Sequence, residues 1–117
     1  MWVVKPVDWV GSSYRDFRAF PPAVQDAMGY ALYRAQIGKT HENAKPLKGF
    51  GGASIIEISE DFRSDTYRLI YAVRFAESVY VLHAFQKKSK RGAETPRHEI
   101  ELIKRRLKAA RDDHRSR

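Results

Sequence analysis

The 117-residue chain contains no cysteine. That excludes disulfides, thiolate metal sites and cysteine nucleophiles together, and it suits a reducing compartment. No run approaches the roughly 18 apolar residues of a membrane span. The opening Met1-Trp2-Val3-Val4-Lys5-Pro6 lacks the basic, apolar and cleavage regions of a signal peptide. The expectation is a cytoplasmic protein with no membrane partner. Internal repeats and low-complexity linkers are also missing, so the length is that of one domain. Gly49-Phe50-Gly51-Gly52 is followed by neither a helix nor Gly-Lys-Ser/Thr, which argues against a nucleotide loop. His41-Glu42 and His98-Glu99 belong to no ligand-like constellation, and no Ser-His-Asp pattern is identifiable. No cofactor and no metal are expected.

What is present is basic charge, unevenly placed. Lys plus Arg number 22 against 14 acidic residues, a net of +8. Residues 1–86 hold 10 basic and 9 acidic residues, a net of +1, whereas residues 87–117 hold 12 and 5, a net of +7. Such asymmetry points to a polyanionic partner, either nucleic acid or an acidic protein. The hydrophobic share of 43% is enough for a folded core.

The pattern along the chain reads as strand, two helices, three strands, helix. Trp2–Val10 is β-branched and apolar, with Pro6 marking an edge or strand end. Ser13 with Asp16 resembles a helix start over about 13–19. Pro21-Pro22 opens a second helix with Val24, Met28, Ala31, Leu32 and Ala35 on one stripe, and Gly38 stops it. Residues 39–52 read as loop. Strands follow at 53–59, 66–74 and 78–87, and short turns make them an antiparallel meander. Thr95 is the expected cap of the last helix, with Pro96 at its first position and Ile100, Ile103, Leu107 and Ala110 as a narrow apolar stripe. The fold class is α+β: an antiparallel sheet covered on one face by helices. The domain spans 1–112, and 113–117 is expected to fray as a basic tail.

A two-residue turn at Ala76-Glu77 pairs Ile70 with His83 and Arg68 with Phe85. One face then carries Tyr67, Leu69, Tyr71, Val73, Tyr80, Leu82 and Ala84 as core. The other carries Arg68, Ile70, Ala72, Arg74, Val81, His83, Phe85 and Lys87. Opposed and diagonal neighbours lie within about 5–8 Å, so Arg68, His83, Phe85 and Lys87 converge. Arginine and lysine hold phosphate and stabilise charge developing on it. Phe85 can stack a base, and His83 can move a proton. Cleavage of RNA would need only its own 2′-hydroxyl as nucleophile. The structural alternative, a solvent face that merely carries polar side chains, stays open.

The stretches Tyr67-Arg68-Leu69-Ile70-Tyr71, Val81 to Ser89 and Thr95-Pro96 with Glu99-Ile100 resemble the phage-derived HigB-like toxins of the RelE/ParE superfamily. Pro46-Leu47-Lys48-Gly49 is similar to the segment before the sheet in those toxins, and the resemblance covers about residues 14–110. It implies a RelE/ParE-like fold and a toxin of a type II toxin–antitoxin system: a ribosome-dependent mRNA endonuclease, metal-independent, acting through the RNA 2′-hydroxyl. It implies as partners the ribosome and mRNA, and a cognate helix-turn-helix antitoxin (HigA-like) through which alone operator DNA is met. Arg68 would stabilise the scissile phosphate, with His83 and Lys87 as the other catalytic candidates. His83 matches the family's strand histidine, its catalytic role being read from the face argument. Lys48, Arg74, Phe85, Lys88, Lys90 and Arg91 are the RNA-binding candidates. Many nucleases of the superfamily place a catalytic Tyr or His near the C-terminus. Here no tyrosine follows Arg91, and His98 and His114 are the only imidazoles there, so the general acid is unassigned. A ParE-like toxin acting on DNA gyrase and a non-catalytic basic phage or regulatory protein are the alternatives.

Overall fold

The computed structural model describes residues 4–52, 54–87 and 94–117. Within them run β1 (Val7–Trp9), α1 (Ser13–Arg18), α2 (Pro22–Gln36), β2 (Ala44–Pro46), β3 (Ile55–Phe62), β4 (Asp65–Ala72), β5 (Val79–Lys87) and α3 (Arg97–Arg115). The α+β class and the antiparallel β3–β4–β5 meander stand as expected. Three features differ.

First, the sheet has five described strands in the order β1-β5-β4-β3-β2 and is mixed, because β1 joins β5 in parallel. The extra strand, β2, lay hidden in the polar stretch 39–52. It is three residues long and sits at the sheet edge, where the missing N–H of Pro46 is tolerated.

Second, helices cover both faces. The predicted stripe Val24, Met28, Ala31, Leu32 and Ala35 packs with Phe17 and Phe20 of the α1 region against Ile56, Ile58, Tyr67, Leu69 and Tyr71. On the opposite face Ile103, Leu107 and Ala110 of α3 pack against Ile55, Ile70, Ala72, Tyr80 and Leu82. The reason is visible in β4, whose alternate residues 67–72 are all apolar except Arg68. A strand apolar on both sides needs two covers.

Third, the β4–β5 register breaks once. Thr66↔Lys87, Arg68↔Phe85 and Ile70↔His83 pair as read from the sequence, but Tyr71 pairs with Val81 and Ala72 with Tyr80. Leu82 is the extra residue of a β-bulge. Beyond it the parity of β5 inverts. Tyr80 and Leu82 face α3, and Val79 and Val81 face α1 and α2. This reverses the expected sides of Tyr80, Leu82 and Val81. The bulge leaves the Leu82 carbonyl to a side chain, and Arg106 Nη1 donates to it at 3.0 Å. Arg106 Nη2 donates to Ser12 Oγ at 2.9 Å, and Ser12 donates to Asp16 at 2.7 Å. Gly11, at φ +57, makes room, since a Cβ there would lie 2.8 Å from Arg106 Nε.

Helix α1 does start at Ser13, as expected, with Ser12 before it, and the buried Ser13 donates to the Val81 carbonyl. Pro96, not Thr95, is the cap residue of α3. In the structure α3 runs to Arg115, and Arg117 is paired with Asp8 at 2.9 Å and Asp113 at 3.1 Å.

Candidate active site

The β3–β4 hairpin turns at Arg63-Ser64 and sets Ser59 opposite Arg68 and Glu57 opposite Ile70. Glu57 is therefore the diagonal neighbour of Arg68 on the α3 face, close enough for long side chains to meet. They do: Arg68 Nη1 donates to Glu57 Oε2 at 3.1 Å, with Arg68 4% and Glu57 3% exposed. Thr95 completes the cluster, accepting from Arg68 Nη1 at 3.0 Å and donating to Glu57 Oε2 at 2.9 Å. Among the described residues Arg68 Nε is buried and has no hydrogen-bond partner. A buried donor left unmade costs about 1–3 kcal/mol, more when charged, and native folds keep few of them.

Glu57 and Thr95 form the floor of a cleft of about 660 Å³ between the β2 edge and the start of α3. Lys45, Lys48, Arg97 and Lys104 stand on its rim, with Glu94 and Glu101 as the acidic members. Exposed basic residues continue from Lys104 along α3 through Lys108, Arg111 and Arg115. Lys87, buried like Arg68, lies diagonally across from it on β5. Burial and the neighbouring Arg68 charge push its ammonium below the usual lysine range, against the opposing pull of Glu57 and Glu94.

His83 is on the same sheet face but outside the cleft. Its Nε2 meets Glu99 Oε2 at 3.0 Å and its Nδ1 faces Arg106 Nη1 at 3.4 Å, all beneath α3. A neutral ring with the proton on Nε2 satisfies both neighbours. Burial holds its pKa below the ordinary histidine value; Glu99 opposes that shift and Arg106 adds to it. Phe85 stacks on His83, ring centroids 4.8 Å apart.

The four residues expected to converge therefore share one side of the sheet, divided into two groups. Arg68 and Lys87 gather around Glu57, whereas His83 and Phe85 pack beneath α3. Of the other candidates, Lys48 is on the cleft rim. Arg74 is exposed past the bulge and donates to Ser54 Oγ at 3.2 Å, away from the cleft. Lys88, Lys90 and Arg91 lie outside the described residues. His98 is exposed beside Glu99, and His114 packs on Phe75 at the far end of α3, about 25 Å along the helix from Arg97. Glu57 was missed. A lone glutamate inside Ile55-Ile56-Glu57-Ile58 was the available signal, since a carboxylate there must find a buried cation. Among the described residues no cluster of three metal-ligating side chains occurs, and no helix is long and apolar enough to cross a membrane.

The sequence profile of the phage-derived protein Gp49-like family matches residues 15–108, a span that contains every residue lining the cleft. Among curated protein sequences nothing matches. Among solved structures, a chain of the toxin–antitoxin complex RelBE2 from Mycobacterium tuberculosis is similar at a TM-score of 0.46 and 21% identity, covering 74% of this chain and 95% of that one.

Proposed function

The chain belongs to the phage-derived Gp49-like family, and on that premise we propose that it is the toxin of a toxin–antitoxin pair and cleaves mRNA on the ribosome. The observation that carries the reading is the buried Arg68–Glu57 pair under a basic cleft, with one charged N–H of Arg68 lacking a partner among the described residues. A fold gains nothing from that arrangement that apolar side chains would not supply. A site that must stabilise transient negative charge does.

In this reading the RNA strand lies in the cleft with its phosphates against Lys45, Lys48, Arg97 and Lys104. Glu57 takes the proton of a 2′-hydroxyl, whose oxygen then attacks the adjacent phosphorus. Arg68, one side-chain layer below, offers its positive charge to the phosphorane as it forms, in surroundings too dry to screen it. Lys87, its pKa lowered, passes a proton to the departing 5′-oxygen. The products are a 2′,3′-cyclic phosphate and a 5′-hydroxyl end, and no metal enters the balance. His83 is a positioning residue here, holding Glu99 and hence the first turns of α3 against the sheet. Phe85 stacks with it and stiffens the same region. A cognate antitoxin would neutralise the protein.

Mapping of transcript 5′ ends after induction in a bacterial host tests the reading. New 5′-hydroxyl ends within translated codons are expected, and they should vanish in the Glu57→Leu/Arg68→Met double variant. Growth arrest with no new ends would overturn cleavage and favour a gyrase target. No arrest at all would overturn the toxin reading.

A further inference from the structure

Thr95 stands one residue ahead of the α3 cap, beyond reach of the helical N–H groups it was expected to serve. Its hydroxyl is engaged instead by Glu57 and Arg68. Those bonds and the direct Arg68–Glu57 contact close a triangle whose corners come from β3, β4 and the approach to α3. A hydroxyl suits that corner, because it accepts from one neighbour and donates to the other. Its placement is stiff: threonine is restricted at χ1, and Pro96 confines the residue before it to extended backbone. Thr95 also lines the cleft beside Glu57.

Resting on the RNA-cleavage reading, we propose that Thr95 is a positioning residue for the proton transfer. A glutamate's terminal torsion is broad and roughly two-fold, so an unrestrained carboxylate presents either oxygen. Two donors on Oε2 fix the group and leave the transfer to Oε1. Lys45 from β2, paired opposite Glu57, and Lys87 from β5 supply charge around the carboxylate.

The test measures cleavage of a defined mRNA on programmed ribosomes by the full chain, with thermal melts to verify folding. Thr95→Val should lower kcat by about a hundredfold, the scale of a misaligned catalytic group, with little change in KM. Thr95→Ser should restore it. Thr95→Ala serves the same purpose if the valine variant does not fold. Unchanged cleavage in the folded valine or alanine variant overturns the proposal. So does faster cleavage, which would make the hydroxyl a latch. If the unmodified protein cuts nothing, the RNA reading itself fails, and NMR then decides the positioning claim separately. Arg68 Nη protons should exchange slowly in the unmodified chain and in Thr95→Ser, and roughly tenfold faster without the hydroxyl as local opening becomes easier. Equal exchange overturns it.

Discussion

Arg68 and Glu57 meet at 3.1 Å across a diagonal of the sheet, both closed to solvent. Removing one partner strands the other. Arg68→Ala is therefore expected to destabilise the fold by about 3–5 kcal/mol, while Glu57→Leu/Arg68→Met recovers most of that loss. Urea denaturation checks both, and the double variant should be folded and inactive. A double variant as unstable as Arg68→Ala would refute this account of the pair.

His83 gives stability a pH dependence of known sign. Its folded pKa lies below the ordinary value of about 6.5. As pH falls, the unfolded chain takes up the proton first. The contribution is complete above pH ~6.5 and is lost as pH falls from there through the folded-state value, at no more than about 1.4 kcal/mol per pH unit. His83→Gln should flatten the urea midpoint over that window. A variant with the same slope as the unmodified chain would assign the dependence elsewhere.

RNA affinity should fall with salt in proportion to the phosphates the cleft neutralises. Alanine at Lys45, Lys48, Arg97 or Lys104 should each reduce the log–log slope by about 0.7, the value for single strands. Arg74→Ala, outside the cleft, should leave it unchanged. Anisotropy of a labelled oligonucleotide at several salt concentrations reads the slopes, and an Arg74 effect equal to that of Lys48 would place the RNA elsewhere.

The β3–β4 hairpin turns through two non-glycine residues in the left-handed region, Arg63 at φ 51 and Ser64 at φ 75. Asn-Gly is the favoured pair for such turns. Ser64→Gly is expected to raise stability by about 0.5–1 kcal/mol, a rise in Tm of roughly 2–6 °C. Calorimetry checks it; a lowered Tm would show that the serine side chain holds the turn.

Local signals were well preserved in the sequence. The α2 and α3 stripes follow from periodicity, which depends on near neighbours. The Arg68↔Phe85 and Ile70↔His83 pairings match the two-residue turn only because the bulge at Leu82 takes up a one-residue difference on the turn side. Three things depended on distant neighbours. The bulge at Leu82 is stabilised by Arg106, 24 positions on. The pairing of Lys45 with Glu57 needed a strand too short to have a period. The burial of the site by α3 needed the knowledge that both faces of β4 are apolar. Without the second face, His83 looks like a solvent-side histidine; with it, the ring lies beneath α3 between Glu99 and Arg106.

The bulge at Leu82 also acts as a phase joint. Between it and the hairpin at 73–78 the strand alternates in one sense, and between it and Lys87 in the other. A one-residue change in the 73–78 hairpin could be absorbed by gain or loss of the bulge before it reached Arg68, Phe85 or Lys87. The length of that hairpin can thus vary without rewriting which side chains face the cleft. The Arg63-Ser64 turn has no such joint between itself and Glu57, since β3 and β4 pair without interruption from Phe62↔Asp65 to Ile55↔Ala72. A one-residue insertion there would turn Glu57 away from Arg68 while leaving the hydrophobic composition untouched.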